Sequence, residues 1–211
     1  MTSDGRDGRV PPTLVDANRL WVDSRLRAVA QRRFEARVLH RLGGPVPHGT
    51  VLEIGSGRRG TGLRLALDTF AADRADGIEL HPASVTACRA ALADLGDRVR
   101  VTEGDAAHLP AADAAYDAVF DYHLLHHAQD WRRVVGEVAR VLRPDGRFYA
   151  CEMTARIVDS RGLRAVSYHP ADGDRPTPAS LAAACADAGL RVTGQLTRVA
   201  GCWTALVAVK I

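Results

Sequence analysis

The residues able to do chemistry fall into three groups along this chain of 211 residues. The first is Glu53 with Gly55, Gly57, Gly60 and Gly62, in VLEIGSGRRGTG (51–62). Glycines at this density let the backbone approach a ligand where a Cβ would block it, and they open onto a helix start. The second is a pair of acids, Glu79 and Asp105, each at the end of a short apolar run, where a carboxylate accepts from hydroxyl or amino groups. The third is Asp121, Tyr122, His123, His126 and His127 in YDAVFDYHLLHH (116–127). Its histidines suit proton abstraction near neutral pH.

These groups need a scaffold that brings them to one edge, and the periodicity supplies one. Val51 to Ile54 is strand-like. Leu63, Ala66, Leu67 and Phe70 then recur at helical spacing. Ala75 to Leu80, Val99 to Val101, Tyr116 to Asp121 and Arg147 to Cys151 read as further strands. Helices are expected from Pro82 and over Trp131 to Leu142, with Arg143-Pro144-Asp145-Gly146 as a turn. Thr177 and Pro178 cap another helix, closed by Gly189. Leu190 to Thr197 and Cys202 to Val209 form an antiparallel pair about Ala200-Gly201. The expectation is an α/β, Rossmann-like, doubly wound, mostly parallel seven-stranded sheet with a C-terminal antiparallel strand. Residues 1–12 read as a disordered lead-in, 13–48 as an N-terminal helical cap in two helices or one broken helix, and 49–211 as the core of a single domain.

Charge narrows what the glycine loop would hold. A dinucleotide places pyrophosphate there, which Glu53 would repel. S-adenosylmethionine carries a sulfonium and an ammonium, which the same carboxylate would stabilise. Glu79 would accept from ribose hydroxyls in either case, and Asp105 from an adenine amino group.

Five segments, VLEIGSG (51–57), GIELHP (77–82), GDAAHLP (104–110), YDAVFDYHLLHH (116–127) and VLRPDG (141–146), match in order and spacing a known family. Over about 50 to 150 the chain resembles the class I S-adenosylmethionine-dependent methyltransferases, in their broad small-molecule branch. The resemblance implies that Glu53, Gly55, Ser56 and Gly57 line the methionine side of the cofactor. It places Glu79 and Leu80 at the ribose, Asp105 and Ala106 at the adenine, and Asp121 and Tyr122 where the methyl group meets substrate. The chain departs from the family's usual G-x-G-x-G at Arg58-Arg59, which puts Gly60 one place late. The two arginines are either solvated helix-start residues or reach an anionic group.

Methyl transfer from a sulfonium requires alignment and exclusion of water; a base is needed only if the acceptor must lose a proton. His123, His126 and His127 are the candidates for that base. On a helical turn His123 and His127 would share a face, which admits a metal with Asp121, but no recognisable ligand set follows and no metal is expected. Trp21, Tyr168 and His169 are candidate substrate-binding residues, and Glu152 reads as an exposed loop residue.

Composition excludes several classes. The net charge is +3 with 28 basic and 25 acidic residues interleaved, so no nucleic-acid footprint stands out. No apolar run reaches the length of a membrane span, and the N-terminus lacks a signal-peptide core. Cys88, Cys151, Cys185 and Cys202 have no paired spacing and read as reduced thiols, three of them in apolar patterns, in a cytoplasmic protein. The expected partner is a small-molecule substrate, with the oligomeric state open between monomer and homodimer. The expected function is S-adenosylmethionine-dependent methylation, with S-adenosylhomocysteine as product, in what the Ala- and Arg-rich composition suggests is bacterial specialised metabolism. The alternatives are an NAD(P)-dependent oxidoreductase, which G-x-G-x-x-G favours and Glu53 opposes, and a non-catalytic cofactor-binding accessory protein.

Overall fold

Seven apolar segments become strands of one sheet in the computed structural model, which describes residues 24–160, 162 and 174–211. They are β1 (Thr50–Ile54), β2 (Arg74–Glu79), β3 (Val99–Glu103), β4 (Tyr116–Tyr122), β5 (Leu142–Met153), β6 (Leu190–Arg198) and β7 (Trp203–Lys210). Their spatial order is β3-β2-β1-β4-β5-β7-β6. The first five pair in parallel, and β7 runs antiparallel to both β5 and β6. The Rossmann-like doubly wound expectation therefore holds. The order reverses between β1 and β4, so the crevice outside their carboxyl ends is the switch point at which such sheets bind ligands.

Helices cover both faces. On one lie α1 (Arg25–Ala30), α2 (Ala36–Gly43), α3 (Thr61–Asp68) and α4 (Pro82–Ala91); on the other lie α5 (Trp131–Val141) and α7 (Pro178–Asp187), with the short α6 (Ala155–Val158) after β5. Strand alternation splits the core accordingly. Val51, Phe120, Tyr122, Tyr149 and Cys151 pack toward the α2–α4 side. Leu52, Ile54, Val119, Phe148 and Ala150 pack toward α5 and α7.

Between α1 and α2 the chain makes a π turn, Gln31–Glu35, and both flanking residues, Ala30 and Ala36, keep right-handed helical dihedrals. The expected pair of helices is thus one continuous helix with a widened turn over the described part of the cap. A π turn adds a residue to the repeat and shifts the inward face, and here Gln31 and Glu35 are both buried. Residues 1–12 and the first part of the expected cap lie outside the described residues.

Two local expectations change in detail. Residues 143–146 lie within β5 rather than between elements. They form an irregularity where Tyr116 pairs Leu142 and Ala118 pairs Arg147, with Asp145 at φ 62°. The α7 start is as expected: Thr177 and Ser180 form a capping box with Pro178 in the first turn. Among the described residues no helix is long and apolar enough to cross a membrane.

Candidate active site

The glycine loop turns three times through left-handed conformations, at Gly55 (φ 72°), Gly57 (φ 60°) and Gly60 (φ 55°). Such angles favour glycine. Gly60 is fixed by packing as well. A Cβ there would lie 2.4 Å from Leu92 Cδ1 and 2.8 Å from Cys88 Sγ. Arg58 and Arg59 are exposed, and Arg58 Nη1 donates to the Ala83 carbonyl at the start of α4, 3.5 Å away.

Glu53 is buried at the end of β1, with its carboxyl laid over the first turn of α3. A Cβ on Gly62 would sit 1.9 Å from Glu53 Oε1, so this glycine makes the space that the carboxyl fills. Burial pushes the Glu53 carboxyl well up; a hydrogen bond from the Leu63 backbone opposes this, and Asp121 and Glu79 add to it. Its Oε2 is buried without a hydrogen-bond partner among the described residues. An acid held like this lacks a cation, which is what the donor's ammonium and sulfonium would supply. Glu79 is also buried. Its Oε2 accepts from Gly57 N at 3.0 Å and its Oε1 from His81 N at 3.1 Å, which locks the carboxylate across the loop. Leu80 beside it is 59% exposed. Asp105 is exposed, accepting from Ala107 N at 2.9 Å, while Ala106 is buried. Ser56 is buried against Cys88. The residues present therefore fit S-adenosylmethionine.

The β4 exit sorts the other candidates onto opposite faces. Asp121 points toward the α5 side, where Oδ1 accepts from Leu124 N at 2.9 Å. Burial and the facing Glu152 push its carboxyl well up. Glu152 is fully buried rather than exposed, because β5 lies between β4 and β7. It accepts from Leu125 N at 2.6 Å and meets His126 Nδ1 at 2.5 Å. Burial raises its carboxyl to about 8, against the neighbouring Asp121. Glu152 thus holds Leu125 N and His126 with its two oxygens, and the Asp121 carboxyl faces it with Oδ2 left without a hydrogen-bond partner among the described residues. Asp121, expected at the cofactor, lies beside this set on the α5 side.

His123 and His127 do not share a helical face. His123 has φ 68° and precedes the short 3₁₀ turn Leu125–His127. A left-handed residue there breaks the run and swings the His123 ring to the α1 side. Its Nε2 lies 3.0 Å from Glu35 Oε1 and 3.7 Å from Cys151 Sγ. The His127 ring instead lies against that of His126, tilted by 39° at a centroid distance of 4.1 Å. Tyr122, on the same side as Glu53, has its hydroxyl buried without a partner among the described residues. Leu124 closes over the loop, since a Cβ on Gly55 would meet its Cδ1 at 2.6 Å. Trp21, Tyr168 and His169 lie outside the described residues.

Metal binding is a separate question. Glu35, His123 and Cys151 bring an oxygen, a nitrogen and a sulfur within 4.8 Å of one another, as do the donor atoms of His123, His126 and Glu152. Burial, Glu35 and Glu152 push the Cys151 thiol well up, which opposes the thiolate a soft metal requires. Asp121 belongs to neither set, so the His123–His127–Asp121 grouping is not assembled. A groove of about 370 Å³ lies at the opposite edge of the sheet among His48, Asp117, Arg143 and Arg147, remote from all of these groups.

Glu35 and Arg27 are site residues that the sequence did not reveal. Arg27 Nη1 donates to Glu35 Oε2 at 2.9 Å, a spacing of eight that fits a helix. Nothing in the sequence links Glu35 to His123, 88 positions away.

Comparison with known proteins agrees with this geometry. Residues 52–150 match the family described as "Methyltransferase domain". Over 116 residues the chain is 37% identical to the 27-O-demethylrifamycin SV methyltransferase of Amycolatopsis mediterranei, covering 53% of this chain and 42% of that one. Over 129 residues it is 32% identical to the methyltransferase GfsG of Streptomyces halstedii, covering 61% and 46%. The matches span less than half the length of these relatives. Among solved structures, the fold is shared with the methyltransferase complexed with the Trm112 activator of Haloferax volcanii (TM-score 0.75, 23% identity, 95% and 99% of the two chains). It is also shared with the geranyl diphosphate C-methyltransferase of Streptomyces coelicolor (TM-score 0.66, 17% identity, 83% and 78%). The glycine loop, the paired acids and the β4 exit all lie within residues 52–150, the segment identified as a methyltransferase domain.

Proposed function

We propose that this protein transfers the methyl group of S-adenosylmethionine to a small-molecule acceptor. The observation that carries the reading is Glu53, a buried carboxyl with one oxygen unpartnered among the described residues, on a glycine loop that otherwise suits a nucleotide. A pyrophosphate would be repelled there; a cation would be held. When bound, the donor supplies a sulfonium, whose thioether is a good leaving group for in-line displacement.

The chain's own residues do the rest. Glu53 holds positive charge beside Gly55 and Gly57, and Glu79 presents its remaining lone pairs to ribose hydroxyls. Asp105 and Ala106 border the adenine. The β4 exit, with Tyr122, His123 and Leu124, walls the side from which the acceptor approaches, keeps out water and fixes orientation. Four unpaired cysteines suit a reducing cytoplasm. The relative named for 27-O-demethylrifamycin SV supports a place in bacterial specialised metabolism.

Calorimetric titration with S-adenosylhomocysteine and with NAD(P) tests the reading directly. S-adenosylhomocysteine is expected to bind and the dinucleotides are not. Tight binding of a dinucleotide alone would make the protein an oxidoreductase.

A further inference from the structure

Glu35 reaches the site only because of the π turn, and both of its oxygens are used. Oε2 takes the Arg27 guanidinium at 2.9 Å and Oε1 faces His123 Nε2 at 3.0 Å. Burial alone would raise this carboxyl, but His123 and Arg27 together bring it below its ordinary value, so it is ionised. An ionised carboxylate only accepts. The hydrogen of a neutral His123 therefore sits on Nε2, and the lone pair sits on Nδ1. That Nδ1 is buried and has no partner among the described residues. It shares the α1 side of the sheet with two other unpartnered atoms of the site, Glu53 Oε2 and Tyr122 Oη. The Leu124 that follows it lies directly on Gly55 of the cofactor loop.

We infer that Glu35 and His123 form an acid–base dyad in which His123 Nδ1 removes a proton from the methyl acceptor. Glu35 is the positioning residue: it fixes the tautomer and stabilises the imidazolium that forms. The inference rests on the methyl-donor reading and deepens it, because it names the acceptor class. The acceptor is a hydroxyl, a phenol or an enolisable carbon, not a tertiary amine or thioether, which has no proton to lose. In the step, the acceptor's O–H or C–H bond breaks toward Nδ1 and the electron pair left on the acceptor forms the bond to the methyl carbon. The carbon–sulfur pair stays on sulfur. The proton then passes from the imidazolium to water, so one sulfonium charge is exchanged for one released proton.

Several groups face His123. Glu35, with Arg27 behind it, faces Nε2; Cys151 Sγ lies 3.7 Å from the same atom. The His126 ring stands edge-on at 6.0 Å, and Asp121 interacts with His123 electrostatically from β4. Cys151 and Asp121 are held protonated by burial, which leaves Glu35 as the anion in direct contact. Removing its charge takes away the acceptor that fixes the Nε2 hydrogen and the anion that stabilises the imidazolium.

The test uses the full chain with Glu35→Gln and His123→Asn, asparagine being chosen because it tolerates left-handed backbone. A long-range ¹H–¹⁵N spectrum, with the His123 signal identified by its loss in His123→Asn, is expected to show hydrogen on Nε2 and a bare Nδ1. Hydrogen on Nδ1 would overturn the dyad without any activity assay. Both variants are expected to bind S-adenosylhomocysteine like the parent. If the parent itself fails to bind, the donor reading falls while the tautomer result still stands. With labelled S-adenosylmethionine and a panel of phenols, aliphatic alcohols, β-dicarbonyls, tertiary amines and thioethers, transfer is expected to the first three classes. His123→Asn should lose about 100-fold in turnover. Glu35→Gln should lose about tenfold, with the His123 hydrogen no longer confined to Nε2 in the long-range spectrum. An undiminished rate in His123→Asn, an unchanged His123 tautomer in Glu35→Gln, transfer confined to amines or thioethers, or transfer to none of the panel while S-adenosylhomocysteine binds, would each overturn it.

Discussion

On the α5 side of the sheet, Glu152 closes a set with Leu125 and His126, beside which Asp121 Oδ2 is without a partner among the described residues. On the α1 side, Glu53, Tyr122 and His123 each keep a buried polar atom without a partner among the described residues. Both groups hang from the carboxyl ends of the same strands, and strand alternation sends successive residues, Asp121 and Tyr122, to different faces. A buried polar group left unpaired costs stability, and such costs persist where function needs them. The closed set therefore reads as a brace for the β4 exit, and the open set as the surface that awaits ligands.

Breaking the brace gives the largest expected effect. Glu152→Ala strands the Leu125 amide and His126 at once. Leaving a buried hydrogen-bonding group unsatisfied costs about 1–3 kcal/mol, and each kcal/mol lowers the melting temperature by about 2–4 °C for a chain of this size. A calorimetric or fluorescence melt checks it. The counterpart in the open set is Glu53→Gln. It removes a buried acid that burial and two neighbouring acids already disfavour, so the unliganded protein should melt no lower than the parent. Binding of S-adenosylmethionine should weaken by about 2 kcal/mol, roughly thirtyfold, the worth of a hydrogen bond to a charged group. If both variants were equally destabilised, the contrast between the two faces would fail.

Acidity sharpens the same contrast. The folded-state value of Glu152 is raised from 4.5 to about 8, so between those limits the folded state holds a proton that the unfolded chain has released. Its contribution to stability is complete below about pH 4.5 and drains away as pH climbs toward 8. The slope is at most about 1.4 kcal/mol per pH unit for one proton. Urea unfolding from pH 5 to 8.5 should show this decline, and Glu152→Gln should flatten it.

How much of this was legible in the sequence differs between scaffold and site. The β1 loop, the succession of strands along the chain and the acid beside the loop follow from local signals: glycine spacing, apolar periodicity and an acid two places before Gly55. Each depends on neighbours in sequence. Burial of Glu152 does not, because it stems from β5 lying between β4 and β7, and proximity to an irregular segment suggested exposure instead. The Glu35–His123 contact is further from reach. It requires a π turn, which no residue pattern announces, and a left-handed His123, which the helical reading of 123–127 excluded.

The smallest expected effect tests the open set at its least charged member. Burial, with Glu53, Cys151 and Glu35 nearby, pushes the Tyr122 phenol well up, so it stays neutral and its hydroxyl is a donor without an acceptor among the described residues. The ring itself is well packed, parallel to Phe120 at a centroid distance of 6.3 Å. Tyr122→Phe keeps that packing and removes only the stranded hydroxyl. Relief of an unsatisfied buried group is worth about 1–3 kcal/mol, partly offset by the small void left behind, so unliganded Tyr122→Phe should gain about 1 kcal/mol in urea unfolding. The gain should shrink when S-adenosylhomocysteine or an acceptor is bound, because the hydroxyl then finds its partner in the parent but not in the variant. Destabilisation in the unliganded state would mean that Tyr122 is already satisfied, and its hydroxyl would then belong with the brace rather than with the ligand surface.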